Sequence, residues 1–272
     1  MTNVRAVALL AIATLRRKRG SLLAFAAAMF GFLFVTAAAF PAIGGAAAVT
    51  GVIETFPPEL RRLLRIAPNL QAGFGLRDYM ALSFFHPVFL GLGAAFVVGR
   101  ATDALAGEVE RGSIYLLLSR PVARWSLVLG KMSELLAGAG VLAFASWLGL
   151  AAAAASALDQ PLPLGRFLLV ALLAWPLFGA LGAGALVISA LGRRSGAVAG
   201  IASAWTLVSF VLDVLPAVAD SPLGLLNPWR FYDPPTLVAG GGVPWLGLLV
   251  QGAWIVGGTA VAIAIFARRD LY

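Results

Sequence analysis

The sequence contains no cysteine. Disulfides, thiolate nucleophiles, iron–sulfur clusters and cysteine-ligated zinc are therefore excluded. It contains one histidine, His86, so a histidine-built metal centre is excluded too. Charge is scarce: 12% of the 272 residues carry it, against ~25% in an ordinary soluble domain. Lysine occurs only at Lys18 and Lys131. Apolar residues fill the space, making up 61% of the chain. A folded soluble surface needs polar cover, so this balance excludes a single water-soluble core. It excludes intrinsic disorder as well. What remains is an all-α or β-barrel membrane protein.

The apolar residues fall in six long runs: 21–43, 82–99, 126–155, 167–191, 197–215 and 245–267. A helix crosses a ~30 Å hydrocarbon core with ~20 residues. A barrel strand would need ~10-residue alternating segments. These runs are unbroken and rich in Ala, Leu and Gly, so the fold class is all-α: a polytopic protein with six transmembrane helices in one domain, 1–272. The third run exceeds one perpendicular span, and its first turns are expected in the inner interface. The segments 44–81 and 216–244 are the long extracytoplasmic loops, and 100–125 is the long cytoplasmic one. With the N-terminus inside, fourteen of the twenty basic residues fall on inner segments. The net charge of +8 then reads as a topology signal and an attraction to anionic headgroups, with no nucleic acid implied. Both termini are expected on the cytoplasmic side of the inner membrane. The run 21–43 is too long for a signal-peptide core of ~7–15 residues and is expected to stay.

Residues 2–19 place Val4, Val7, Ala8, Ala11, Ile12 and Leu15 at helical spacing before Arg16-Arg17-Lys18-Arg19. That pattern predicts an amphipathic helix lying in the inner headgroup plane. In the first outer loop, Pro58 can open a short helix with Leu60, Leu63, Leu64 and Ala67 on one face and Arg61, Arg62 and Arg65 on another. The second outer loop is rich in Pro and Gly and is expected to be irregular. Its Trp229, Arg230, Phe231 and Tyr232 suit an interfacial aromatic belt. Pro87 and Pro176 predict kinks within the second and fourth spans.

No phosphate-binding loop and no glycine-rich dinucleotide fingerprint is encoded. Gly130-Lys131 is not a phosphate-binding loop, because Trp125 stands where its first glycine belongs and Met132 replaces Ser or Thr. No metalloprotease or serine-hydrolase motif occurs. The one dense polar stretch is the first inner loop. There Gly112 interrupts any helix leaving the second span. Residues 113–119 can form one or two turns, and Pro121 ends them. Glu108, Glu110, Arg111, Arg120 and Arg124 flank the result. On physics alone two readings stay open: insertion into a partner's groove, or a surface helix packed on lipid.

The stretch Asp103-Ala-Leu-Ala-Gly-Glu-Val-Glu-Arg-Gly-Ser-Ile-Tyr-Leu-Leu-Leu-Ser-Arg-Pro-Val-Ala-Arg124, followed by Gly130-Lys131, resembles the signature of type-2 ABC exporter permeases. Ser113, Ile114 and Ala123 depart mildly from it. The N-terminal helix, the outer helix near 57–65, the six spans and the C-terminal Phe266–Leu271 stretch are similar as well. The resemblance implies that 113–119 is a coupling helix docking into a separate ATPase subunit. It implies an ATPase contact made by Glu108, Glu110, Arg111, Gly112, Ser113, Ile114, Tyr115, Leu117, Leu118, Ser119, Pro121 and Arg124. Gly130, Lys131 and Glu134 support the loop. ATP and Mg would sit on two ATPase copies and no cofactor on this chain. The permease would pair with a second copy of itself.

Other polar residues have simpler expectations. Lys131 and Glu134, one turn apart, are expected to pair. Asp213 is expected to anchor at an interface, and His86 to be a packing histidine. Gly192, Gly196 and Gly200 permit close helix contact. The function expected is export driven by a partner's ATPase. The alternative is an ATP-independent carrier or channel, which the lack of mid-span charge disfavours. An intramembrane enzyme is disfavoured by the lack of paired acids and of cysteine.

Overall fold

The computed structural model describes residues 3–57, 61, 74–119, 122–219 and 221–269. Among them there is helix and no strand. Helix α1 spans Asn3–Arg17, α2 Arg19–Ala39, α3 Gly45–Glu54, α4 Leu76–Ser83 and α5 Pro87–Thr102. A π turn, Asp103–Gly107, and a last helical turn, Glu108–Glu110, prolong α5. Then come α6 (Ser113–Leu118), α7 (Arg124–Ser156), α8 (Leu164–Leu191), α9 (Ser195–Val214) and α10 (Trp245–Arg268). Six helical units are long and apolar enough to cross a membrane: α2, α4–α5, α7, α8, α9 and α10.

Burial ranks these helices. α8 is buried along most of its length, while α2, α9 and α10 leave most of theirs open. A helix apolar all round and enclosed is a core helix, and α8 packs against α5, α7, α9 and α10. The open helices need lipid or another protein around them. Pro176 lies inside α8, which continues past it. α7 has 33 residues, about 50 Å at ~1.5 Å per residue, so it overshoots a bilayer core. Its surplus first turns carry α1.

Five expectations differ from the structure. Pro87 does not kink a span from within; it occupies the first turn of α5, where its missing N–H costs nothing, and His86 caps that helix. The second span therefore comes in two pieces, separated by Phe84–His86, and begins at Leu76. The α1 stripe that meets the protein is Ala6, Val7, Leu10, Ala11 and Thr14, while Val4, Ala8 and Ile12 are exposed. Trp229 and Tyr232 are buried, not displayed in a belt; Trp229 packs edge-on to Phe210 and its indole N–H donates to Ser209 Oγ at 3.0 Å. Gly192 lies outside α9, capping α8, and among the described residues no atom of another helix comes within 4 Å of where a Cβ on Gly196 or Gly200 would stand.

Asp213 is buried near the end of α9. Helix α3 fills part of a stretch expected as loop. The short helix expected from Pro58 to Ala67 lies outside the described residues, apart from Arg61, whose guanidinium donates to the carbonyls of Phe56 and Glu54. The segment 216–244 is irregular between short turns at Pro216–Ala219, Gly224–Leu226 and Pro234–Val238.

Candidate functional site

One end of the bundle gathers the start of α7, the ends of α1, α5, α8 and α10, and the start of α9. The loop from α5 to α7 lies across these ends. Its geometry begins with the π turn. The Ser189 hydroxyl of α8 accepts from Ala106 N–H at 3.0 Å and donates to the Thr102 carbonyl at 3.0 Å. Those two backbone groups would bond each other in a regular α-helix. The inserted hydroxyl satisfies both and opens the ladder, a recognised cause of such bulges.

Beyond the π turn, Glu108 is 1% exposed and its carboxylate is shared. Oε1 accepts from Lys131 Nζ at 3.0 Å and from Arg17 Nη2 at 2.7 Å; Oε2 accepts from the Ser113 hydroxyl. One carboxylate thus joins α1, α7 and the first residue of α6. Lys131 is itself buried, and a buried ammonium requires such a partner. Glu134 does not pair with Lys131 as its spacing suggested. Its Oε1 accepts from Arg100 Nη1 at 2.8 Å, with both side chains buried. Arg100 of α5 and Lys131 of α7 are both buried beside these carboxylates, and each donates to the acid within hydrogen-bond reach, Glu134 and Glu108 respectively. Arg100 also donates to the Lys18 carbonyl at 3.0 Å, tying α5 to the α1–α2 junction.

The remaining charges of this stretch bind one another or a helix end. Asp103 accepts from Lys18 and, at 2.5 Å, from Arg111 Nη1. That bond raises the Arg111 guanidinium above its ordinary value. Glu110 accepts from the backbone N–H of Ser195 at 2.9 Å and from its hydroxyl, at the first turn of α9. A carboxylate there satisfies an orphan donor and suits the helix dipole. Arg124 donates to the carbonyls of Ala267 at 3.1 Å and Arg269 at 2.8 Å, at the end of α10. Arg269 donates to the Ala190 carbonyl of α8 at 2.9 Å.

On this platform sits α6. Gly112 precedes it with φ +70, a left-handed conformation that glycine adopts without strain. The reversal turns α6 away from the axis of α5. Ile114 is fully buried and anchors it. Tyr115 is 44% and Leu116 74% exposed, so the opposite face is apolar and open. Leu117 is half-buried, and Ser119 caps its own turn by donating to the Leu116 carbonyl. Pro121, and Arg120 before it, lie outside the described residues. Gly130 marks where α1 crosses α7: a Cβ there would stand 2.9 Å from Leu10 Cβ and 3.2 Å from the Val7 carbonyl oxygen.

The structure therefore brings Glu108, Ser113 and Lys131 into one cluster, with Arg111 beside it through Asp103. It sets Glu110 and Arg124 on separate helix ends and Glu134 in a neighbouring pair. Sequence reasoning missed Leu116 as the most exposed apolar residue among the described side chains of α6. It also missed Arg17, Lys18, Asp103 and Ser195 as partners. Only the basic run at 16–19 hinted at any of them.

Among the described residues the arrangement is an ion-paired, hydrogen-bonded base under a small apolar knob. Residues 22–271 match the family described as ABC-2 family transporter protein. No curated protein matches the chain. A match over that share of the sequence, on a bundle of six spanning-length helices, leads to one conclusion: the chain belongs to the ABC-2 transporter family, as a multi-pass membrane permease of an ABC transporter.

Proposed function

We propose that this permease is an exporter subunit powered by ATP hydrolysed on a separate ATPase subunit, and that α6 is its contact with that motor. The observation that carries the reading is the exposure of Tyr115 and Leu116 on a helix otherwise anchored by buried Ile114. An apolar knob beside charged residues suits insertion into a cleft of a soluble partner. The basic face then lies in the cytoplasm, in line with the distribution of Lys and Arg. ATP and Mg belong to the partner, since this chain has no phosphate-binding loop.

The ion-paired layer supports a transmitting role. Movement imposed on α6 reaches α1 and α7 through Glu108, α9 through Glu110 and α10 through Arg124. A bundle with two packed arrangements converts such a small displacement into alternating access. The assembly has two copies of the permease and two of the ATPase, with the inner membrane as its site. The test is affinity purification of the chain from native membranes in mild detergent. An ABC ATPase subunit co-purifies in equal amount if the reading holds; its absence, with transport intact, refutes it.

A further inference from the structure

Helix α1 buries Ala6, Ala11 and Thr14 against the protein and leaves the other side of its cylinder open. Two neighbouring rows at i, i+4 spacing, Val4-Ala8-Ile12-Arg16 and Arg5-Leu9-Ala13, are exposed at every position. Val4 is 77%, Leu9 54% and Ile12 46% exposed. This face is apolar along its middle, with Arg5 near one end and Arg16 at the other. The sequence has no acidic residue before Glu54, and five basic residues lie between 5 and 19. Arg17 and Lys18 turn inward, to Glu108 and Asp103. Arg5, Arg16 and Arg19 are exposed and have no acidic partner among the described residues. Only Lys18 separates α1 from α2, a helix of membrane-spanning length. Leu23, in the second turn of α2, is 63% exposed. The chain therefore holds α1 at the level where α2 enters the bilayer.

We propose that the open face of α1 binds anionic phospholipid of the adjoining leaflet, with phosphate groups at Arg5, Arg16 and Arg19 and acyl chains against Val4, Ala8 and Ile12. Level and charge argue together for that occupant. A helix at the headgroup boundary buries its apolar face among the acyl chains. Its basic side chains then stand within reach of the negative surface of that leaflet. A zwitterionic headgroup matches the apolar rows equally well but leaves the three arginines without a net counter-charge. The site lies one residue from Arg17 and Lys18, whose bonds hold the base of α6. The proposal rests on the spanning helices and not on the motor reading.

The test uses the full chain, with whatever ATPase co-purifies, in phosphatidylcholine vesicles. A trace of lipid carries a photoactivatable group near the glycerol end of one acyl chain. In one arm the labelled lipid is phosphatidylglycerol, in the other phosphatidylcholine. Adducts are mapped by mass spectrometry. Phosphatidylglycerol should label residues 4–16 on the order of ten-fold or more above phosphatidylcholine, since each basic residue at an anionic surface contributes about five-fold. Trp245 and Leu246, exposed at the far end of α10, should take both lipids equally. Arg16→Gln should lower the preference about five-fold, and Arg16→Lys should keep most of it. Arg5→Gln, Arg16→Gln and Arg19→Gln together should bring the two lipids to parity. Unchanged thermal unfolding of these variants in detergent shows that the fold survives. Salt of about 1 M, which cuts the Debye length to ~3 Å, should also reduce the preference. Equal labelling of α1 by both lipids, or an α1 face that neither lipid reaches because a protein covers it, overturns the proposal. Labelling needs neither ATP nor the motor. A phosphatidylglycerol preference on α1 without a bound ATPase refutes the exporter reading alone, and a bound ATPase with no such preference refutes the lipid site alone.

Discussion

Lys131 Nζ stands 3.0 Å from Glu108 Oε1, and both side chains are almost wholly buried. Twenty-three residues separate them, so the bond closes the loop between α5 and α7 into a fixed turn. Removing Lys131 leaves the buried Glu108 carboxylate with Arg17 and Ser113 as partners. Lys131→Met should therefore destabilise the protein by less than the ~3–5 kcal/mol of a fully broken buried pair. Replacing both, as Lys131→Met with Glu108→Gln, should cost less than the sum of the single changes. Denaturant unfolding of the four proteins in micelles measures the coupling.

The Ser189 hydroxyl holds the π turn open by bonding two backbone groups of α5. Ser189→Ala leaves Ala106 N–H and the Thr102 carbonyl without it. A loss of about 1–3 kcal/mol is expected, the cost of an unsatisfied buried polar group. Ser189→Thr, which keeps the hydroxyl, should retain more stability than Ser189→Val. Equal stability of the Thr and Val variants would show that the bridge contributes nothing.

Gly112 has no neighbour that a side chain would strike, so its conformation alone demands glycine. Gly112→Ala should cost about 1–2 kcal/mol, the penalty for a left-handed non-glycine residue. Gly112→Asn should cost less, since Asn tolerates that conformation. If both variants unfold with the parent protein, the turn into α6 is not under this constraint.

Glu110 ties the loop to the first turn of α9 through Ser195. Under the proposed function, Glu110→Ala keeps the ATPase bound and lowers the substrate moved per ATP hydrolysed. Transport and ATP hydrolysis measured together in vesicles give that ratio. A fall in hydrolysis and transport in equal proportion would assign Glu110 to motor binding instead.

Long apolar runs made the six spans legible, because a bilayer demands them of any helix that crosses it. The break at Gly112 was legible for a similar reason: glycine after a helical run carries its own conformational signal. The partners of the charges were not. Lys131 and Glu134 sit one turn apart, yet each bonds a residue on another helix. Local spacing cannot encode a bond across 23, 34 or 91 residues. The start of the second span was hidden as well, since Arg77 and Asp78 place charge in the first turn of α4. Trp229 misled because an aromatic beside Arg fits both an interface and a buried pocket. Leu116 looked like its neighbours until the turn at Gly112 fixed which face of α6 points outward.

The most direct measurement exploits the absence of cysteine. Leu116→Cys introduces the chain's sole thiol at an apolar position of α6 that is 74% exposed. A thiol-reactive photo-crosslinker attached there should join the permease to an ABC ATPase subunit in native membranes. The same probe at Leu9→Cys, exposed on α1, should capture lipid and no ATPase. An ATPase adduct at position 116 alone is the predicted result. No adduct at 116, or equal adducts at 116 and 9, would contradict the account of α6 as the motor contact.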